Sequence, residues 1–201
     1  MRSPVFALIV SLVLSGCAAV SGQYGTKMDT DKFNNNQTTV MMTGGIIDAD
    51  PLGMASNPAE FNPFVVRAQN NKIVSMGVYF SFENNVTLTH ADWLNIKAGS
   101  KAIFLLNNGA SRVELVATNG DIKFDVSAPG AMVNTTHFDH GVFSITPAQL
   151  KEIANASSVE VRVAGMSSSI DFPRKPNNHL FANFLPNWKK FYETEVQPFS
   201  N

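Results

Sequence analysis

The sequence has very little cysteine: one residue, Cys17, among 201. Disulfides consume cysteines in pairs, so no intrachain bridge staples this chain. There is no surplus of positive charge either, with 15 basic residues against 16 acidic. A nucleic-acid-binding domain would carry a basic face, so nucleic acid is not an expected partner. Charged residues together make up only 15% of the chain. No apolar run reaches the twenty or so residues that a membrane-spanning helix needs. No Gly-x-Ser-x-Gly elbow and no cofactor-binding motif is present, so neither that route to nucleophilic catalysis nor any particular cofactor is indicated.

What the chain does have begins at its amino end. Arg2 precedes the apolar run Pro4–Leu14, about eleven residues, which as a helix spans roughly 16 Å and covers about half of a bilayer core. That is the length of the hydrophobic part of an export signal. The run closes on Leu14-Ser15-Gly16-Cys17. This resembles the lipobox of bacterial lipoproteins, in which a Leu and two small residues precede the modified cysteine.

The resemblance implies cleavage between Gly16 and Cys17, a diacylated Cys17 sulfur and a lipid-anchored envelope protein. Two acyl chains suffice for stable anchoring, where one binds only marginally. Ala18 and Ala19 follow the cysteine where an aspartate would favour inner-membrane retention. In a host with two membranes the resemblance therefore points to the outer membrane, with the domain facing the periplasm. Loss of residues 1–16 removes Arg2 and lowers the formal net charge from −1 to −2.

Residues 17–37 are rich in Ala, Ser, Gly, Thr and Asn, and read as a flexible tether of roughly 25 Å r.m.s. span. Residues 38–201 then read as a single β-rich domain. Thr38–Ile47 is rich in β-formers and interrupted by Gly44-Gly45. Phe64–Gln69 and Lys72–Glu83 flank Asn70-Asn71, and the second arm alternates apolar and small or polar residues with period two. Asn107-Asn108-Gly109 separates Ile96–Leu106 from Arg112–Thr118, and Asn119-Gly120 reads as a further tight turn before Asp121–Val126. Phe138–Ile145, Ser158–Ala164 and a weaker Ser167–Phe172 complete the strands.

Thr146-Pro147-Ala148-Gln149 is a capping-box pattern opening a short helix to about Ala156. Residues 178–195 space Leu180, Phe184, Trp188 and Phe191 as an amphipathic helix, which Pro186 should kink or split. The expected fold is an antiparallel β-sandwich, or a barrel-like relative, with one short helix and a C-terminal amphipathic helix. The stretch Ile145–Gly165 resembles β-domains of bacterial envelope proteins.

Few residues point to a site. His137-Phe138-Asp139-His140 is the one cluster of metal-capable groups, and His90 or Asp92 could supply a further ligand. On a strand, however, His137 and Asp139 share one face while His140 points to the other. Arg162 alternates with inward-looking valines and is read as facing solvent or pairing across strands; Arg67 is comparable. Asp48-Ala49-Asp50-Pro51-Leu52-Gly53 opens like a calcium loop but lacks its later acidic ligands, and reads as a turn. The aromatic terminal helix, with Phe181, Trp188, Phe191 and Tyr192, reads as the cover of a sheet face, or alternatively as a docking element.

The functional expectation is a lipid-anchored module that binds an envelope protein or polymer without catalysis. The alternatives are a periplasmic hydrolase or metal-dependent enzyme built around His137, Asp139 and His140, and an accessory subunit of an envelope complex.

Overall fold

A computed structural model of the protein describes residues 22–48, 59–84, 94–127, 134–174 and 181–200. Before the first helix come β1 (Gly25–Asp31), β2 (Gln37–Thr43), β3 (Ile46–Asp48), β4 (Ala59–Arg67), β5 (Ile73–Asn84), β6 (Lys101–Leu106), β7 (Ser111–Ser127) and β8 (Asn134–Ser144). Helix α1 (Pro147–Ala154) leads to β9 (Val159–Ala164) and β10 (Ser169–Phe172), and α2 (Phe184–Phe191) lies near the carboxyl end. The strands form one open antiparallel sheet in the order β1-β2-β4-β5-β8-β7-β6-β9-β10, with β3 paired to β4 beside β2. The sheet folds over on itself as a sandwich. Phe61 of β4 lies 5.6 Å, centroid to centroid, from Phe104 of β6, and Phe82 of β5 lies 5.4 Å from Phe172 of β10.

The fold-over is made by β7. Its first part, Ser111–Val116, pairs with β6; from Ala117 onward it pairs with β8, after a register shift between Ala117 and Asn119. Such an irregularity bends a strand and increases its twist, carrying β7 from one layer into the other. Asn119-Gly120 is therefore strand interior rather than the expected turn. Gly120 is there for closeness: a Cβ on it would sit 2.3 Å from the carbonyl oxygen of Ile96. Gly141, its register partner on β8, would meet the Ile96 side chain at 2.5 Å. The two glycines together open a slot for the fully buried Ile96.

The asparagine turns form as expected at two other places. Asn71 sits at φ 63° between β4 and β5, and Asn107, Asn108 and Gly109 occupy the left-handed region between β6 and β7. The capping box also forms: Thr146 Oγ1 accepts from Gln149 N, and Gln149 Oε1 accepts from Thr146 N. Leu150, Ile153 and Ala154 are the buried face of α1.

Two boundaries are corrected. The expected tether contains β1, which pairs with β2 over seven register positions from Gly25↔Thr43 to Asp31↔Gln37. Burial gives β1 no apolar alternation, because it is an edge strand open on both faces. Pro186 does not break the terminal helix. It is the third residue of α2, within the first turn, where backbone N–H groups have no partner inside the helix. The geometry changes later, through a π-turn at Tyr192–Val196 and a 3₁₀ turn at Gln197–Phe199.

Helix α2 fills the sandwich. Phe184, Trp188 and Phe191 are fully buried, Trp188 lies 5.6 Å from Phe104, and its indole N–H donates to the Phe61 carbonyl. Asn187 Nδ2 donates to the carbonyls of both Gly22 and Gly44 at 2.9 Å. Arg67 pairs with Glu195 at 2.7 Å and stacks on Phe199, fixing the segment that follows α2. The aromatic face of this helix is thus the cover of the sheet interior. Among the described residues no helix is long and apolar enough to cross a membrane.

Candidate functional site

The residues singled out from sequence do not converge. On β8, Asp139 is fully buried on the core side and accepts from the backbone N–H groups of Leu94 and Asn95, at 3.3 and 2.9 Å. It pins the segment that carries Ile96 into its slot. His140, one position on, emerges on the outer face. His137 takes part in the β8 ladder opposite Asn84 and Phe124. His90 and Asp92 lie outside the described residues, as do residues 49–53 of the calcium-like loop. Asp48 is buried against Arg174, whose guanidinium also lies over the Phe82 ring. Among the described residues no three His, Cys, Asp or Glu side chains come together as a metal cage.

The outer face of β4–β5–β8 holds a polar and aromatic patch that sequence reading did not assemble. Register places Glu60, Ser81, His140 and Asp121 in one row, with Asn62 and Tyr79 opposite each other in the adjacent row of β4 and β5. Tyr79 Oη and His140 Nδ1 share a hydrogen bond of 2.8 Å. The His140 ring is parallel to that of Phe138, with centroids 6.2 Å apart. Burial pushes the imidazole below its ordinary value, helped by Lys123 and opposed by Asp121 and Asp139. Burial also raises Glu60, against a hydrogen bond from Asn62 Nδ2, and raises the Tyr79 hydroxyl, on which Glu60 adds a like-charge effect. A neutral imidazole and a reluctant carboxylate are acid–base groups in kind. They lie on a sheet face, outside a large concavity formed elsewhere by the described residues.

That concavity is a groove of about 1330 Å³ between the β6–β9–β10 end of the sheet and α2. Strand β10 stops at Phe172, opposite Val161, because Pro173 has no N–H to continue the ladder. Val159 and Glu160 run on past its end. The walls are mostly apolar, from Leu105, Val159, Phe172, Phe181 and Leu185. Charge enters at Arg112, Glu160, Lys189 and the pair Arg162–Asp171.

Arg162 and Asp171 are directly opposite in register and form a two-pronged ion pair, both bonds 2.6 Å. The guanidinium holds the Asp171 carboxyl below the usual carboxylate range. Of the side chains singled out in the sequence, Arg162 and Phe181 line the groove. The neighbours of Arg162 there come from elements up to some eighty positions apart in the chain, and alternation within one strand carries no signal of such a meeting.

Compared with known proteins, the chain matches no family model, no curated protein and no solved structure.

Proposed function

We propose that the protein is a lipid-anchored binding module of the bacterial envelope, held by Cys17, whose β6–β9–β10/α2 groove takes an extended, mainly apolar ligand such as a segment of an envelope protein. The observation that carries the reading is the groove itself. Its apolar walls and sparse charges are the composition of binding clefts, in which a few polar groups orient what the apolar surface holds. The paired Arg162 and Asp171 would supply such orientation. The anchor rests on the lipobox at Leu14–Cys17.

The two halves of the proposal are tested separately. Titration of an apolar fluorophore, 1-anilinonaphthalene-8-sulfonate, into the folded protein should raise its emission, and Ala182→Trp, which places an indole in the groove, should remove most of that gain. Equal enhancement in both proteins would end the groove reading. Labelled palmitate should enter the wild-type chain and be absent from Cys17→Ser, which should also accumulate uncleaved precursor. Label persisting in the variant would end the anchor reading and leave the groove untouched.

A further inference from the structure

The open edge of β1 has the features of a pairing surface for a second copy of the same strand. It is the first strand of the sheet order, with β2 on one side and no strand of the described residues on the other. Its pairing with β2 is unbroken over seven residues, without proline or bulge; of the devices that blunt a sheet edge it carries charge, of both signs, at Lys27, Asp29 and Asp31. Residues 26–31 are exposed on both faces, Met28 by 66%. The start of the strand is held firmly, since Tyr24 bonds Thr194 and lies under the Lys190 ammonium. Neither Lys27 nor Asp29 has an ion-pair partner among the described residues.

We infer that two copies of the protein pair antiparallel through β1, about a two-fold axis at Met28. An isologous antiparallel pair must be centred on a residue facing its own copy, so few registers are available. Centred on Lys27, the pair sets lysine against lysine. Centred on Asp29, it sets aspartate against aspartate at the axis, with Lys27 against Asp31 on either side. Centred on Met28, it sets Lys27 against Asp29 twice, Thr26 against Thr30 twice, and methionine against methionine. Both charged contacts are then attractive, and threonine pairs are among the favourable cross-strand neighbours. Of these three registers only the Met28-centred one places no like charges opposite each other, and that selects it. The fully exposed Phe33, in the loop after β1, would then lie beside Gln23 of the second copy.

Cross-linking in the full chain, expressed with its export signal in a bacterial host, tests the inference. Met28→Cys faces itself at a separation that a disulfide spans, so mild oxidation of membranes should give a band of twice the monomer mass. The wild-type chain, whose sole thiol is Cys17, sets the blank, and Val74→Cys, exposed on β5, is the control that should stay monomeric. Adding Lys27→Asp to Met28→Cys should cut the dimer yield about tenfold, by turning two attractions into two repulsions. Adding Asp29→Lys as well should restore it. An equal band from Val74→Cys, a yield indifferent to Lys27→Asp, or no rescue by the double exchange would each overturn the pairing.

Discussion

The indole nitrogen of Trp188 donates to the main-chain carbonyl of Phe61, 3.2 Å away and 127 positions apart in the chain. One contact thus bolts α2 to the first part of β4. Trp188→Ala should lower unfolding free energy by about 3–5 kcal/mol in a urea titration, the range for large aromatic truncations in a core. Trp188→Phe keeps part of the packing and loses the hydrogen bond, so its loss should be smaller, about 1–3 kcal/mol. If alanine cost no more than a surface substitution, α2 would not belong to the core.

Gly120 and Gly141 make a graded pair. A methyl on Gly141 meets the Cγ2 branch methyl of Ile96, whereas one on Gly120 meets Ile96 backbone. Side chains shift more readily than backbone, so Gly120→Ala should destabilise more than Gly141→Ala, the latter by about 1–3 kcal/mol. Combining Gly141→Ala with Ile96→Ala should cost less than the two changes added, because truncation vacates the space the new methyl needs. Strict additivity in chemical denaturation would show that the slot is not shared.

The outer patch should give stability two opposing responses to pH. Glu60 is raised in the folded state, so the fold favours its protonated form; that contribution is present below about pH 4.5 and disappears as pH rises through the raised value. Glu60→Gln should therefore melt on the order of a few degrees higher than wild type at pH 7.5, with the two converging by pH 4. His140 is lowered, so the fold favours its neutral form; that contribution is complete above about pH 6.5 and is lost as pH falls below it. His140→Gln should flatten the loss of melting temperature between pH 7 and 5. Parallel wild-type and variant curves across both windows would remove these two groups as the cause.

Asp139 separates a structural carboxylate from a metal ligand. Asp139→Ala leaves the Leu94 and Asn95 amides without their acceptor and should cost about 1–3 kcal/mol. Chelator should leave the wild-type melting temperature unchanged. A fall of several degrees on chelation would make a metal ion part of the folded state.

Local chemistry was the legible part of this sequence. Asn71 and Asn107–Asn108 mark real hairpin turns because few other residues accept the left-handed region. Thr146 and Gln149 announce α1, and alternation predicts that Val159, Val161 and Val163 are buried while Glu160 and Arg162 are exposed. It also predicts that Asp139 and His140 part company. Three features were not legible. Strand β1 buries neither face and leaves no pattern. Asn119-Gly120 carries a turn's composition, but Gly120 is set by Ile96, which reaches it from another segment. The groove arises where β10 stops short of the end of β9 and α2 crosses the gap, a relation of tertiary structure alone.

The dependence of the sandwich on α2 has a consequence in time. A chain made amino end first presents Phe61 and Phe104 long before Phe184 and Trp188 arrive to pack on them. Until then the layers have only each other, through contacts such as Phe61 with Phe104, and the aromatic surface that α2 covers is available to any passing hydrophobic surface. Completion of the core is deferred to the last part of the chain, which makes the interval before α2 docks the moment of greatest risk from aggregation.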